Sequence, residues 1–146
     1  MKKLLLAAAA VCCLAACNKE LGPEYKTPPE ISEVSFKTTG IAADEVVTVS
    51  AMLTCTYGLQ YGWIAYYLNE DESDVTRTNP YMYAKNQTSA TFSGKIPGQK
   101  AGTKVTFQVL ATSAYQVPVW TNTYTYTVEG ELEPDPDPNP VLPDEN

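Results

Sequence analysis

The sequence predicts an all-β protein, an antiparallel β-sandwich of about seven strands. From residue 31 to residue 128, short segments in which apolar and polar residues alternate are separated by turn residues. No segment of this region shows the 3.6-residue period of an amphipathic helix. The region is also about 100 residues long, a suitable length for two packed sheets that total seven strands.

Each predicted strand is one such alternating run. In the second strand apolar residues occupy every other position from Val47 to Leu53, and in the sixth they do so from Val105 to Ala111. One apolar and one polar face per strand is what a sandwich requires. Pro118 favours an edge position for the last strand, because proline cannot donate a hydrogen bond to a neighbouring strand. The predicted strands are 31–38, 45–55, 61–68, 80–85, 89–96, 103–112 and 119–128.

The N-terminal segment has the form of a secretion signal. Lys2 and Lys3 precede the apolar run 4–16, which is too short to span a bilayer comfortably. The run ends in Leu-Ala-Ala followed by Cys17, a tetrapeptide that resembles the lipobox of bacterial lipoproteins. The resemblance implies that a signal peptide over 1–16 is removed and that Cys17 is then acylated, with palmitate among the acyl chains.

Lipidation at Cys17 would place the protein in the cell envelope. Several acyl chains on one residue give stable membrane anchoring, which a single chain does not. The outer membrane is the expected site, and the sequence leaves open whether the domain faces the periplasm or the cell surface. The anchored Cys17 begins a tether over 17–30, the sandwich occupies 31–128, and 129–146 is a tail rich in proline and acid, predicted to be disordered.

The net charge of −7 arises entirely in the tail. Residues 129–146 contain seven acids and no base, whereas the rest of the chain is balanced. The absence of a basic patch argues against nucleic acid as a partner. Cysteine use is equally simple: Cys12 and Cys13 lie in the signal and Cys17 carries lipid, so Cys55 remains alone. We therefore predict no intramolecular disulfide and a buried Cys55, with a reactive thiol as the alternative.

Three segments between residues 45 and 128 carry a family likeness: "EVVTVSAMLTCTYGL", "IPGQKAGTKVTFQVLAT" and the closing "TYTYTV". With them the domain resembles the immunoglobulin-like, fibronectin type III-related modules of Bacteroidetes lipoproteins. It implies an immunoglobulin-like sandwich that serves as a spacer or as a binding and adhesion domain and is not catalytic. Two positions depart from the pattern: Cys55 replaces a frequent Asp of the family, and Val105 replaces the tyrosine of fibronectin type III strand F.

The residue inventory points away from catalysis. The chain has no histidine, the commonest general base and zinc ligand, and no phosphate-binding glycine loop. We predict that the protein is not an enzyme and takes no cofactor and no metal. The acidic segment 69–74 offers oxygen ligands for calcium, but its spacing differs from that of an EF-hand, and a solvated loop is the preferred interpretation.

Aromatic residues are the remaining candidates for function. Residues two apart share a face of a strand, and the resemblance to the lipoprotein modules implies that Ile64, Tyr66 and Leu68 face the core. Three aromatic residues then lie outside and are the predicted site for a glycan or a protein partner: Tyr61, Trp63 and Tyr67. The alternatives are a structural spacer or assembly subunit, or rings that only stabilise the sheet.

Other strands are expected to extend this outer face. Leu110 belongs to it by alternation, and the strand 80–85 adds either Tyr81 or Tyr83. Trp120 lies an even number of residues before Tyr124 and Tyr126, which are assigned to the core, so the sequence leaves open which face Trp120 occupies.

Overall fold

The computed structural model describes residues 22–84 and 86–130. Within them a short 3-10 helix, Pro23–Lys26, precedes nine strands, and no helix there is long and apolar enough to cross a membrane. The predicted signal peptide, Cys17 and most of the acidic tail lie outside the described residues. The strands are β1 (Glu30–Ser35), β2 (Val47–Thr54), β3 (Leu59–Leu68), β4 (Thr76–Arg77), β5 (Tyr81–Met82), β6 (Ser89–Ile96), β7 (Lys104–Ser113), β8 (Pro118–Trp120) and β9 (Tyr124–Thr127).

The strands form two antiparallel sheets. The smaller sheet has the order β1-β2-β6. In the larger sheet β3 is central, with β4 and β5 on one side and β7 on the other, and β7 pairs in turn with β8 and β9. The apolar faces of the two sheets enclose one hydrophobic core. The predicted antiparallel β-sandwich is therefore confirmed.

The alternation of apolar and polar residues along each strand determines which side chains form the core. On β2 the burial pattern alternates over all eight residues, as the sequence predicts. Each large apolar side chain buried in this way contributes about 1.5–3 kcal/mol through the hydrophobic effect. The largest fully buried side chains are Phe92, Phe107, Ile41, Leu53, Leu59, Ile64, Ile96, Val47, Val49, Val105, Val109 and Val128.

The last predicted strand, 119–128, is divided in two. Leu110 lies opposite Trp120, but Phe107 lies opposite Tyr124, so three steps along β7 correspond to four along its partner. The extra residue lies between β8 and β9. Because the side-chain period of a strand is two, one inserted residue reverses which residues face the core.

Thr121 holds this irregularity in place. Its amide donates to the Val109 carbonyl over 3.0 Å, and its Oγ1 accepts the Val109 amide over 3.1 Å. Its own carbonyl accepts a hydrogen bond of 2.7 Å from Gln108 Nε2. A hydroxyl therefore replaces the backbone acceptor that a regular ladder would supply.

The predicted strand 80–85 is also shorter than expected. Only β5 remains of it. A separate two-residue strand, β4, pairs with Ala65 and Tyr66, and the sequence does not predict it. Pro80, which cannot donate to a ladder, stands between the two strands, so the ladder is interrupted there.

Antiparallel pairing brings the start of β1 to the same end of the sandwich as two tight loops. Glu30, the first residue of β1, lies opposite Thr54, the last of β2, and the loop 55–58 follows directly. The Ala114 amide donates to the Gly58 carbonyl over 2.9 Å, which joins the loop after β7 to the same group. We call this the N-terminal end of the sandwich.

Candidate functional site

The central strand β3 displays the two rows of side chains that alternation predicts. Ile64 is fully buried and Tyr66 is 7% exposed, both within the core, and Leu68 packs against it. Tyr61 and Trp63 are half-buried and lie on the opposite, outer face of the larger sheet. The predicted parity of this strand is thus confirmed.

Trp63 is held on that face by three neighbours. The Tyr61 ring meets it edge to face, with centroids 5.7 Å apart, and the Arg77 guanidinium lies 5.1 Å from its ring centre. Leu110 lies directly opposite on β7. A cation–π contact of this kind contributes about 0.5–1 kcal/mol near the surface. The indole Nε1 is shielded from solvent and has no hydrogen-bond partner.

Tyr67 is on the outer face, but the expectation that it is exposed is wrong. Only 7% of the residue is accessible. Central strands have neighbours on both sides, and the chain that leaves Leu68 returns to pair with Tyr66 through Thr76. Tyr67 therefore lies beside the returning segment that contains Thr76 and is covered by it. Alternation along a strand predicts the face on which a side chain lies, but not how much of it is exposed.

Trp120 is the most exposed ring of the outer face. It lies opposite Leu110, which in turn lies opposite Trp63, so the three side chains form one cross-strand row. We call Trp63, Leu110 and Trp120 the aromatic row. Trp120 is 45% exposed because β8 is at the edge of the sheet. Its side could not be read from the sequence, since the inserted residue before β9 breaks the alternation.

β5 adds a different residue from the two that the sequence suggests. Met82 lies opposite Tyr61 and is 60% exposed, so it extends the outer face. Tyr81 lies opposite Gly62, whose missing side chain would point at Phe92 in the core. Tyr81 therefore belongs to the other side of the sheet and Tyr83 packs against the core, so neither extends the outer face.

The remainder of the outer face is polar. The hydroxyls of Thr106 and Thr125 are 3.2 Å apart across β7 and β9, and Lys104 lies opposite Thr127. This polar part adjoins the far end of the sandwich, whereas the aromatic row is nearer the N-terminal end. The face thus combines an apolar stripe with hydrogen-bonding groups, an arrangement suited to binding a partner that has both kinds of surface.

Two chemical candidates lie outside this face, the acidic segment 69–74 and Cys55. In the acidic segment 69–74, Asp71 accepts hydrogen bonds from the hydroxyl and then the amide of Ser73, and these, the hydroxyl foremost, hold the pKa of its carboxyl below the usual value. Lys104 lowers the pKa of Glu70 through a hydrogen-bonded ion pair. Within 22–84 and 86–130, no three Cys, Asp or Glu side chains are placed so that together they could hold a metal ion. Cys55 is 5% exposed and unpaired, which confirms its predicted burial.

Comparison with known proteins gives similarity of fold. No protein-family model and no curated protein matches the chain significantly. The chain is similar to the solution structure of the sensor domain of the anti-sigma factor RsgI4 from Pseudobacteroides cellulosolvens, with a TM-score of 0.52 and 17% identity, over 80% of this chain and 91% of that one. A shorter form of the same sensor domain gives a TM-score of 0.49 and 17% identity, over 72% and 98% of the two chains.

Proposed function

We propose that the protein is a lipid-anchored, non-catalytic binding module of the cell envelope that contacts a glycan or a protein through the outer face of its larger sheet. The observation that carries the proposal is the aromatic row, in which Trp63, Leu110 and Trp120 lie side by side on three adjacent strands. Met82 and Tyr61 extend it along the same face.

The chemistry of the row supports binding. Opposite residues in antiparallel strands have Cβ atoms about 4.5–5.5 Å apart, so these side chains form a continuous apolar strip. Indole rings supply a large, rigid surface with one polar atom, which favours both stacking on sugar rings and burial in a protein interface. The exposure of Trp120 leaves that surface accessible to a partner.

The anchoring part of the proposal depends on the sequence. Cys17 lies outside the described residues, and its lipobox and the preceding signal segment support lipidation and an outer-membrane location. A sensor domain is one known use of a sandwich of this fold, which gives the binding role a parallel. The proposed site retains the predicted Tyr61 and Trp63 and adds Trp120, while the buried Tyr67 supports the sheet.

Replacing Trp120 with alanine tests the binding face. The full chain and its Trp120→Ala variant would be compared for binding to an array of bacterial and host glycans, and for co-purification of envelope proteins after cross-linking. Truncation of an aromatic hot-spot residue of an interface costs about 2 kcal/mol or more, so we expect about a 30-fold loss of affinity. Tyr81→Ala is the matched control, since Tyr81 is 58% exposed and lies off this face.

Glycan binding and contact with an envelope protein predict different results. Saturable glycan binding that Trp120→Ala removes supports a glycan-binding module. Loss of a co-purified protein, with no glycan bound, supports contact with an envelope protein, as a spacer or assembly subunit would make. If neither signal depends on Trp120 or on Trp63, the aromatic row is not a binding site.

A further inference from the structure

Three tyrosines from three separate segments meet at the N-terminal end of the sandwich. Tyr25 belongs to the 3-10 helix, Tyr57 to the loop after β2, and Tyr115 to the loop after β7. The Tyr25 ring centre lies 5.2 Å from that of Tyr57 and 4.5 Å from that of Tyr115. We call these residues the tyrosine triad.

The triad is separate from the hydrophobic core. None of its members belongs to the buried core cluster; Tyr115 is 36% exposed, and the other two are half-buried. Such rings present an apolar body and a polar tip at the surface. Their contacts also hold the first described residues against the domain, so the chain that comes from the proposed lipid anchor reaches the sandwich at the triad.

The length of the preceding chain limits how far this end can be from the membrane. Cys17 precedes Gly22 by five residues. Even fully extended, five residues span only about 17 Å. A domain anchored by acyl chains on Cys17 therefore keeps its N-terminal end near the lipid headgroups.

Acidic residues are concentrated at the end of the sandwich opposite the tyrosine triad. The loops 55–58, 83–88 and 114–117 contain no Asp or Glu, and the N-terminal segment 22–30 carries Glu24, Glu30 and Lys26. The opposite end has the segment 69–74, with four exposed carboxylates, of which Glu70 is paired with Lys104. The acidic tail also leaves from that opposite end.

The path of the chain fixes where the tail begins. The Glu129 amide donates to the Ile41 carbonyl over 2.8 Å, beyond the end of β9 and far from the start of β1. Six further acids follow in the sequence. Anionic headgroups repel carboxylates, so the sandwich is electrostatically favoured with its acidic end away from the membrane.

We infer that the tyrosine triad is a membrane-contact site, seated in the headgroup layer of the bilayer that holds the lipid anchor. Tyrosine is enriched at membrane–water interfaces, where its ring contacts the acyl boundary and its hydroxyl stays hydrated. The contact would fix the orientation of the domain, with the sheets projecting from the bilayer and the aromatic row accessible from the side. The inference rests on the proposed lipidation of Cys17.

Fluorescence quenching tests the contact directly. The full-length acylated protein with Tyr115→Trp would be reconstituted into phosphatidylethanolamine–phosphatidylglycerol vesicles, with and without phospholipids brominated near the headgroup. The wild-type signal, which contains Trp63 and Trp120, is subtracted. We expect the added indole emission to be quenched by the bromines and shifted to the blue. Glu72→Trp, in the exposed segment 69–74 at the opposite end of the sandwich, is the control and should respond equally to both kinds of vesicle.

Two further measurements distinguish the ways in which the inference could fail. Mass spectrometry of the purified chain shows whether Cys17 is acylated; an unmodified Cys17 overturns both the anchoring proposal and the membrane contact. Acylation without quenching at position 115 overturns the membrane contact alone. Cross-linking from position 115 to an envelope protein, again without quenching, assigns the triad to a protein partner instead.

Discussion

Gly94 on β6 lies directly against Ile64 on β3, across the interface between the two sheets. A methyl group on Gly94 would lie 2.5 Å from Ile64 Cδ1 and 2.7 Å from Phe92 Cζ. Neither distance is compatible with van der Waals contact, so the sheets approach each other here only because Gly94 has no side chain. This contact holds β6 beneath the strand that carries Trp63.

Gly94→Ala should destabilise the domain. The added methyl group forces Ile64 and Phe92 from their positions in a close-packed core, which typically costs about 1–3 kcal/mol. Urea unfolding would measure the loss. Ser93→Ala is the control, because Ser93 is exposed on the same strand and should change stability little. Equal stability of the two variants would mean that the sheets can separate without cost.

Tyr83→Phe should stabilise the domain. The Tyr83 hydroxyl is shielded from solvent and has no hydrogen-bond partner, and such a group costs about 1–3 kcal/mol relative to its hydrated state. Phenylalanine retains the ring that packs on the core and removes the cost, so we expect a rise of about 1 kcal/mol in the free energy of unfolding. Tyr81→Phe, in a 58% exposed ring, should have no such effect. A loss of stability in Tyr83→Phe would show that the hydroxyl is bonded in solution.

Alkaline pH should unfold the domain through two tyrosines. Burial raises the pKa of Tyr83 and of Tyr126 from 10.0 to about 12. The unfolded chain therefore releases these protons at lower pH than the folded one, and stability is complete below pH 10.0 and is lost as the pH rises towards 12.

Denaturant midpoints measured across this interval check the prediction. Tyr83→Phe should flatten the decline in stability, and Tyr83→Phe combined with Tyr126→Phe should flatten it further. A decline of unchanged steepness in the double variant would assign alkaline unfolding to other groups, such as the lysines.

Strand β3 shows how much of the candidate site the sequence could predict. In β3, alternation divided the side chains into two rows, because a regular strand has a side-chain period of two. The resemblance to the lipoprotein modules placed Ile64 and Tyr66 in the core and so Trp63 outside, as the structure shows. Exposure was less predictable. Tyr67 shares the face of Trp63 but is covered, since exposure depends on neighbouring strands and on a loop that returns beside it.

The position of Trp120 could not be derived from alternation at all. Within a continuous strand it would share the core side of Tyr124, but a single inserted residue places it outside. The most exposed aromatic residue of the candidate site therefore depends on a local irregularity held by Thr121. Threonines are so frequent in this segment of the sequence that none of them signals the irregularity.

Thr121→Val should therefore damage both stability and the candidate site. Valine has the shape of threonine but no oxygen to accept the Val109 amide, which the Thr121 Oγ1 binds over 3.1 Å. An unsatisfied amide of this kind costs about 1–3 kcal/mol. Thr121→Ser is the matched control, because it retains the hydroxyl and should keep most of the stability. We expect urea unfolding to rank wild type and Thr121→Ser above Thr121→Val, and Trp120 fluorescence to change only in the valine variant. Equal behaviour of the serine and valine variants would show that the hydroxyl does not hold the insertion, and that backbone pairing alone keeps Trp120 on the outer face.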